Sequence, residues 1–186
     1  SKELRELSVG KNQLTSLPEA LWKLTGLEVL NVGENRLLAV SEKLSNLKRL
    51  RMLDLGHNEL AVLPDALGTL INLTDYLYLS NNRLTTLHDS LGNLTRLRYL
   101  NLTDNQLDVL PENIGKMIGL KELRLYNNQL TALPESIGAM TELVELHAQN
   151  NRLSALPESI GGLVNLKRLD LSGNRLTSLP QDIGKM

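Results

Sequence analysis

Eight asparagines recur at a nearly constant interval, and they are the most regularly spaced residues whose side chains could do chemistry. The interval is 23 residues, with one exception of 24. The set is Asn12, Asn35, Asn58, Asn82, Asn105, Asn128, Asn151 and Asn174. A carboxamide offers donor hydrogens and an acceptor oxygen, so it can satisfy backbone groups where a chain turns out of a strand. We interpret all eight asparagines as structural hydrogen-bonding residues.

Residues that could act as nucleophiles, acids or metal ligands form no catalytic pattern. Cysteine is absent, and the three histidines, His57, His88 and His147, stand at different distances from the nearest of these asparagines. The sequence contains neither a HExxH metal motif nor a glycine-rich phosphate-binding motif. We therefore predict a protein that is not an enzyme and that needs no cofactor or metal.

The charge balance disfavours nucleic acid as a partner. The chain has 20 basic and 21 acidic residues, which gives a net charge of −1. Such a balance supplies no broad positive field for a phosphate backbone. Nucleic acid is therefore not the expected partner.

Each asparagine occupies the ninth place of a repeated unit, LxxLxLxxNxLxxLPxxIGxL. The copy LRYLNLTDNQLDVLPENIGKM, which starts at Leu97, shows the pattern most clearly. Eight copies start at Leu4, Leu27, Leu50, Leu73, Leu97, Leu120, Leu143 and Leu166. A fixed period of this length from end to end predicts one solenoid domain over residues 1–186.

Two segments of the unit predict its secondary structure. The LxxLxL segment alternates apolar and polar residues, which is typical of a strand buried on one face. Proline after the fourteenth residue, often followed by glutamate, suits the first position of a short helix. The fourth copy has one extra residue between Leu73 and Leu77, which predicts a β-bulge in its strand. Trp22 replaces the glycine of the unit, where we expect it to cover the core edge or seat a preceding segment.

The unit resembles that of leucine-rich repeat proteins, and the LPxxIGxL variant resembles bacterial, plant Ras-group and animal Ras-scaffold or cell-polarity members. The resemblance implies an α/β solenoid: a right-handed horseshoe with a concave parallel β-sheet and short helical or 3₁₀ turns on its convex side. It also implies a protein-interaction module that binds a partner through the concave face. The alternative is the recognition array of a larger enzyme, such as a GTPase, kinase or ubiquitin ligase.

The tyrosines predict where a partner binds. All four fall at the third, fifth or seventh place of a repeat, the places that alternate with the buried leucines. Tyrosine combines rigid contact area with a polar tip and is enriched in binding hot spots, although exposed strand positions also favour it. The candidate binding residues are Met52, Tyr76, Tyr78, Tyr99, Arg124, Tyr126 and His147. Rival surfaces are the convex side around Trp22 and an edge bearing Arg36, Arg83, Arg152 and Arg175.

The ends of the chain lack recognisable polar caps, so we expect a fragment of a longer protein or end-to-end self-association through the terminal repeats. No apolar run is long enough to span a membrane, and SKELRELSVG has no signal-peptide core. Together with the absence of cysteine this favours a cytoplasmic protein. The alternative is a secreted or surface protein whose leader has been removed, with potential glycosylation sequons at Asn72, Asn93 and Asn101.

Overall fold

The computed structural model describes residues 3–186 and places eight short parallel strands side by side in one open sheet, in chain order. Equivalent residues of successive repeats pair, as Leu100 does with Leu123. The predicted solenoid with a concave parallel sheet is confirmed. The strands are β1 (Glu6–Ser8), β2 (Val29–Asn31), β3 (Met52–Asp54), β4 (Tyr76–Tyr78), β5 (Tyr99–Asn101), β6 (Glu122–Arg124), β7 (Glu145–His147) and β8 (Arg168–Asp170).

A five-residue 3₁₀ helix follows each strand on the convex side, as the repeat pattern predicted. Proline lies just before the helix rather than at its first position: Pro111 has an extended backbone, and its carbonyl accepts from the Ile114 amide at 3.0 Å. Ser41 and His88 replace proline, and their side chains accept from the amide two residues ahead. The helices are η1 (Glu19–Lys23), η2 (Glu42–Asn46), η3 (Asp65–Thr69), η4 (Asp89–Asn93), η5 (Glu112–Lys116), η6 (Glu135–Ala139), η7 (Glu158–Gly162) and η8 (Gln181–Lys185).

Ladders of leucine fill the space between the sheet and the 3₁₀ helices. Leu100, Leu102 and Leu107 of the fifth repeat are fully buried, as are their counterparts in the neighbouring repeats. Burial of each such side chain contributes about 1.5–3 kcal/mol to folding. Trp22 belongs to this core with only 1% of its surface exposed.

The asparagines hold each turn of the solenoid to the preceding one. Asn105 donates to the carbonyl oxygens of Leu102 and Thr103 in its own repeat and of Leu79 in the preceding repeat, at 3.0–3.2 Å. Its side-chain oxygen accepts from the Leu84 amide at 3.0 Å. One carboxamide therefore contacts four backbone groups, of which only the Thr103 carbonyl also accepts from a backbone amide, that of Asn81.

The residue before each asparagine makes the turn in a left-handed conformation. Its φ lies between 52° and 56° at seven positions and is 69° at Gly173. Only the last of the eight is glycine, so the first seven repeats carry backbone strain at this place. The seven are Lys11, Glu34, His57, Asn81, Asp104, Asn127 and Asn150.

The extra residue of the fourth repeat lies ahead of β4 and does not interrupt the sheet. The amides of Thr74 and Asp75 both donate to the Arg51 carbonyl, at 3.3 and 3.0 Å. Tyr76 then pairs in normal register with Met52 on one side and Tyr99 on the other. The irregularity is therefore confined to Thr74 and Asp75, which face the single Arg51 carbonyl just before β4, while the three strand residues keep their register.

No helix within residues 3–186 combines the length and the apolar character needed to cross a membrane.

Candidate functional site

The fourth and fifth strands present three tyrosines on the concave face. Tyr76 and Tyr78 flank the fully buried Leu77 in β4, and Tyr99 precedes the fully buried Leu100 in β5. The alternation of a strand sends the leucines into the core and the tyrosines to the opposite side. Because Tyr76 pairs in register with Tyr99, the rings lie on adjacent strands about 4.8 Å apart.

The three rings form one aromatic unit, which we call the tyrosine cluster. Tyr76 and Tyr78 stack with ring centres 5.7 Å apart and planes 7° from parallel. Tyr99 meets both at 5.4 Å, with its ring edge toward Tyr76 and at an interplanar angle of 58° to Tyr78. Tyr76 remains 43% exposed. The cluster therefore offers a rigid apolar surface with accessible hydroxyl groups.

Arg124 extends the tyrosine cluster onto β6. Its guanidinium carbon lies 5.4 Å from the centre of the Tyr99 ring, within range of a cation–π interaction. Its Nε lies 2.6 Å from Glu122 Oε1. The guanidinium is thus fixed between an aromatic face and a carboxylate.

Glu122, Glu145 and His147 continue the surface toward β7. His147 Nε2 lies 2.8 Å from Glu145 Oε2 and 3.8 Å from Glu122 Oε1, and only 9% of its side chain is exposed. His147 is thus almost completely buried, which does not fit its predicted role as a residue that contacts a partner. Its ring instead holds the Glu145 side chain in place. These three residues could supply metal ligands, with donor atoms within 4.8 Å of one another. However, the positive charge beside Glu122 is already provided by Arg124.

Burial favours the protonated phenols of Tyr78 and Tyr99. It raises the pKa of Tyr99 to about 12, against a counteracting effect of the Arg124 charge. Burial, followed by the proximity of Tyr76 and Asp54, also raises the pKa of Tyr78. For Arg124, burial lowers the pKa, but the hydrogen bond with Glu122 and the neighbouring tyrosines raise it overall. Neutral hydroxyls and a permanent cation suit recognition rather than nucleophilic attack.

The remaining two candidates flank the tyrosine cluster. Met52 is half-buried and pairs in register with Tyr76. Tyr126 lies beyond β6 and is also half-buried; within residues 3–186 its ring makes no aromatic contact with the cluster. The structure thus joins Tyr76, Tyr78, Tyr99 and Arg124 directly and places Met52 and Tyr126 at the margins.

At the fifth place of three repeats, predicted binding residues replace side chains that brace the turn. Asn31, Asp54, Asn101 and Asp170 each accept a hydrogen bond from the amide two residues ahead, at 2.9–3.1 Å. The fourth, sixth and seventh repeats have Tyr78, Arg124 and His147 there instead. These three repeats therefore lack the side-chain hydrogen bond that braces the turn. Instead, the surface here presents the Tyr78 ring, the Arg124 guanidinium and the Glu145 carboxylate that contacts His147.

Glu122 and Glu145 belong to the site but were absent from the predicted set. They stand at the third place of their repeats and pair with each other in register. Each precedes a candidate residue of the same strand by two positions, so their side chains share a face with Arg124 and His147. This two-residue spacing was the feature of the sequence that could have identified Glu122 and Glu145. It was easily missed, because exposed acidic residues are common.

Comparison with known proteins identifies the repeat. Three family models match: "Leucine-rich repeat region" over residues 77–155, "Leucine rich repeat" over 2–60 and "Leucine Rich repeats (2 copies)" over 141–183. A search of curated proteins gave no significant match.

Solved structures match over almost the whole chain. A leucine-rich repeat protein of Leptospira interrogans is 37% identical with a TM-score of 0.94; the match covers 99% of this chain and 47% of that one. This chain thus spans about half the length of that relative. The PEPR1-AtPEP1 structure is 34% identical with a TM-score of 0.83, covering 92% of this chain and 25% of that one. A TDR receptor at 21% identity, with a TM-score of 0.77 over 100% of this chain and 37% of its own, shares the fold.

Proposed function

The chain belongs to the leucine-rich repeat family, and from this premise we propose that it binds a partner protein through the concave surface centred on Tyr76, Tyr78 and Tyr99. Leucine-rich repeat domains are generally protein-interaction modules, and the family points to a non-catalytic role. The observation that carries the proposal is the contiguous tyrosine cluster. It is fixed by ring contacts of 5.4–5.7 Å and remains open to solvent at Tyr76.

The charges around the tyrosine cluster define the partner segment that fits. Asp54 lies beside Tyr78 in register, and Glu122 and Glu145 lie beyond Tyr99. Arg124 neutralises part of this charge through its contact with Glu122. The favoured partner segment therefore carries an apolar or aromatic anchor for the rings, with a lysine or arginine beside it to pair with Glu145.

Tyrosine substitution with a matched control tests the proposal. Immobilised wild-type chain, Tyr76→Ala/Tyr99→Ala and Leu38→Ala are compared for capture of proteins by quantitative mass spectrometry. Leu38 is 62% exposed and lies outside the strands, so its truncation removes apolar surface elsewhere. The partner retained by wild type and by Leu38→Ala is then purified and its affinity measured.

We expect Tyr99→Ala to weaken that affinity by about 1–3 kcal/mol while the folding transition changes little. Protection of β4–β6 from hydrogen exchange on binding would support the same surface. Undiminished affinity in the double tyrosine variant would refute the proposal, and so would a loss of affinity explained entirely by unfolding.

A further inference from the structure

The edge of the solenoid where the strands begin carries an excess of basic side chains. This strand-start edge consists, in each repeat, of the two residues before the first leucine and those between that leucine and the strand. Within residues 3–186 it holds eight basic and four acidic residues, although the whole chain has 20 and 21. The basic ones are Arg5, Lys48, Arg49, Arg51, Arg96, Arg98, Lys121 and Lys167; the acidic ones are Glu3, Glu28, Asp75 and Glu142.

Two adjoining grooves open along this edge. The larger, of 750 Å³, is lined by Thr74, Asp75, Arg96, Arg98, Ile118 and Lys121, among others. The smaller, of 320 Å³, shares Thr74 and Arg96 with it and adds Arg49 and Arg51. The extra residue of the fourth repeat lies where the two grooves meet. The one-residue insertion of the fourth repeat is therefore part of this concavity.

Basic groups in the larger groove are left with uncompensated charge. Asp75 is paired with Arg51 at 3.2 Å, and Lys121 is paired with Glu142. Arg96 makes only a 3.4 Å hydrogen bond to Asn72, and the exposed Arg98 side chain has no ion-pair partner among residues 3–186. A concave surface with unpaired guanidinium groups concentrates positive potential and attracts anionic groups.

Exposed isoleucines distinguish this edge from a surface for nucleic acid. Ile71 and Ile118 stand at the same place of their repeats, two strands apart, and are 57% and 53% exposed. Two strand spacings amount to about 10 Å, close to the rise over three residues of an extended polyproline II segment, in which side chains three apart lie on the same side. Asp75 and Glu142 interrupt the row of cations, so a continuous phosphate backbone would have to pass both acids, whereas separated carboxylates can avoid them. The surface fits separate carboxylates alternating with aliphatic side chains.

We propose that the groove of the strand-start edge binds an extended acidic segment of a partner protein, with two aliphatic residues three positions apart and carboxylates between them. The aliphatic side chains cover Ile71 and Ile118, and the carboxylates pair with Arg96 and Arg98. This surface is separate from the concave tyrosine cluster, so it constitutes a second binding site.

Titration of a defined probe into the full chain tests the assignment. The probe is a fluorescein-labelled, end-capped peptide containing Leu-Glu-Asp-Leu, followed by anisotropy in low-salt buffer. Arg98→Glu is expected to weaken its binding about tenfold, whereas Arg152→Glu has little effect because Arg152 lies on the opposite edge. Ile118→Ser is expected to weaken binding as well. Val164→Ser, at the same repeat place and 60% exposed but outside the groove, is its control.

Salt and peptide variants distinguish specific binding in this groove from general attraction between opposite charges. Binding should weaken as salt is raised, and peptides with Leu-Gln-Asn-Leu or Ser-Glu-Asp-Ser should bind less well. Tyr99→Ala should leave probe binding unchanged, which keeps this test independent of the concave site. The proposal fails if Arg98→Glu and Ile118→Ser bind like wild type, or if Tyr99→Ala abolishes binding. It also fails if single-stranded DNA of equal length binds more tightly than the peptide.

Discussion

Arg124 and Tyr99 lie on adjacent strands, with the guanidinium carbon 5.4 Å from the centre of the phenol ring. The same guanidinium donates from Nε to Glu122 Oε1 at 2.6 Å. This arrangement links the apolar end of the concave surface to its acidic end through one cation. Tyr99 is thereby held in place, and if a partner binds as proposed, this order lowers the entropic cost of binding through the Tyr99 ring.

The raised pKa of Tyr99 predicts loss of stability in alkali. A free tyrosine titrates near 10.0, whereas burial raises the pKa of Tyr99 to about 12. Between these values the unfolded chain has released a proton that the folded chain retains, so the free energy of unfolding falls as pH rises. Below pH 10.0 this contribution is fully present. Urea unfolding at stepped pH should show a shallower alkaline decline for Tyr99→Phe; an identical decline in both proteins would contradict the assignment.

Replacement of a central asparagine should destabilise the solenoid more than replacement of the first one. Asn105→Ala removes four hydrogen bonds to buried backbone groups, and we expect a loss of about 1–3 kcal/mol. Asn12→Ala is the matched control, because the exposed Asn12 side chain donates, among residues 3–186, only to the carbonyls of Val9 and Gly10. If urea unfolding showed equal losses of unfolding free energy for the two variants, the buried asparagines would contribute no more to stability than the exposed one.

The spacing of leucines was sufficient to predict the sheet and the core. An apolar residue at every second place fixes which side chains face inward, and a constant period fixes which residues of adjacent repeats pair. Leu100 and Leu123 follow this rule directly. The insertion at Thr74–Asp75 did not follow it, because a loop can absorb one residue at less cost than a paired strand can.

The details of the candidate site were less predictable. Alternation placed the four tyrosines on one face, but side-chain rotation decides that Tyr76, Tyr78 and Tyr99 touch while Tyr126 makes no ring contact. The burial of His147 depends on Glu145 in the same strand. The net charge did not reveal the basic strand-start edge, because it sums the charges of residues that the fold places on different surfaces.

The left-handed residue of each turn predicts an unusual sensitivity to side-chain shape. Glu34 has φ of 54° and is exposed, so its side chain contributes little packing. Glu34→Val should cost about 1–2 kcal/mol, because a β-branched side chain crowds the backbone in this conformation. Arg36→Val, an exposed change two residues away, should be nearly neutral. Similar thermal midpoints for the two variants would indicate that the turn tolerates β-branching.

The glycine of the 3₁₀ helices predicts the largest effect of adding a single methyl group. A Cβ at Gly115 would lie 2.3 Å from the Ser136 carbonyl oxygen and 2.5 Å from the Ser136 Cβ, so the next helix would have to move. An added Cβ would come equally close to a backbone oxygen at four other glycines of this kind, namely Gly68, Gly92, Gly138 and Gly161. At Gly184, the same place in the eighth repeat, a Cβ would meet no atom of residues 3–186 within 4 Å.

We therefore expect Gly115→Ala to destabilise the fold by about 1–3 kcal/mol through overpacking, despite the higher intrinsic helix propensity of alanine. Gly184→Ala should be neutral or slightly stabilising, since it gains propensity without a clash. The two variants differ only in whether a following repeat packs on the glycine, so their difference in urea unfolding measures that packing directly. If Gly115→Ala were as stable as Gly184→Ala, adjacent 3₁₀ helices could not be in backbone contact, and the close stacking of the convex side would be disproved.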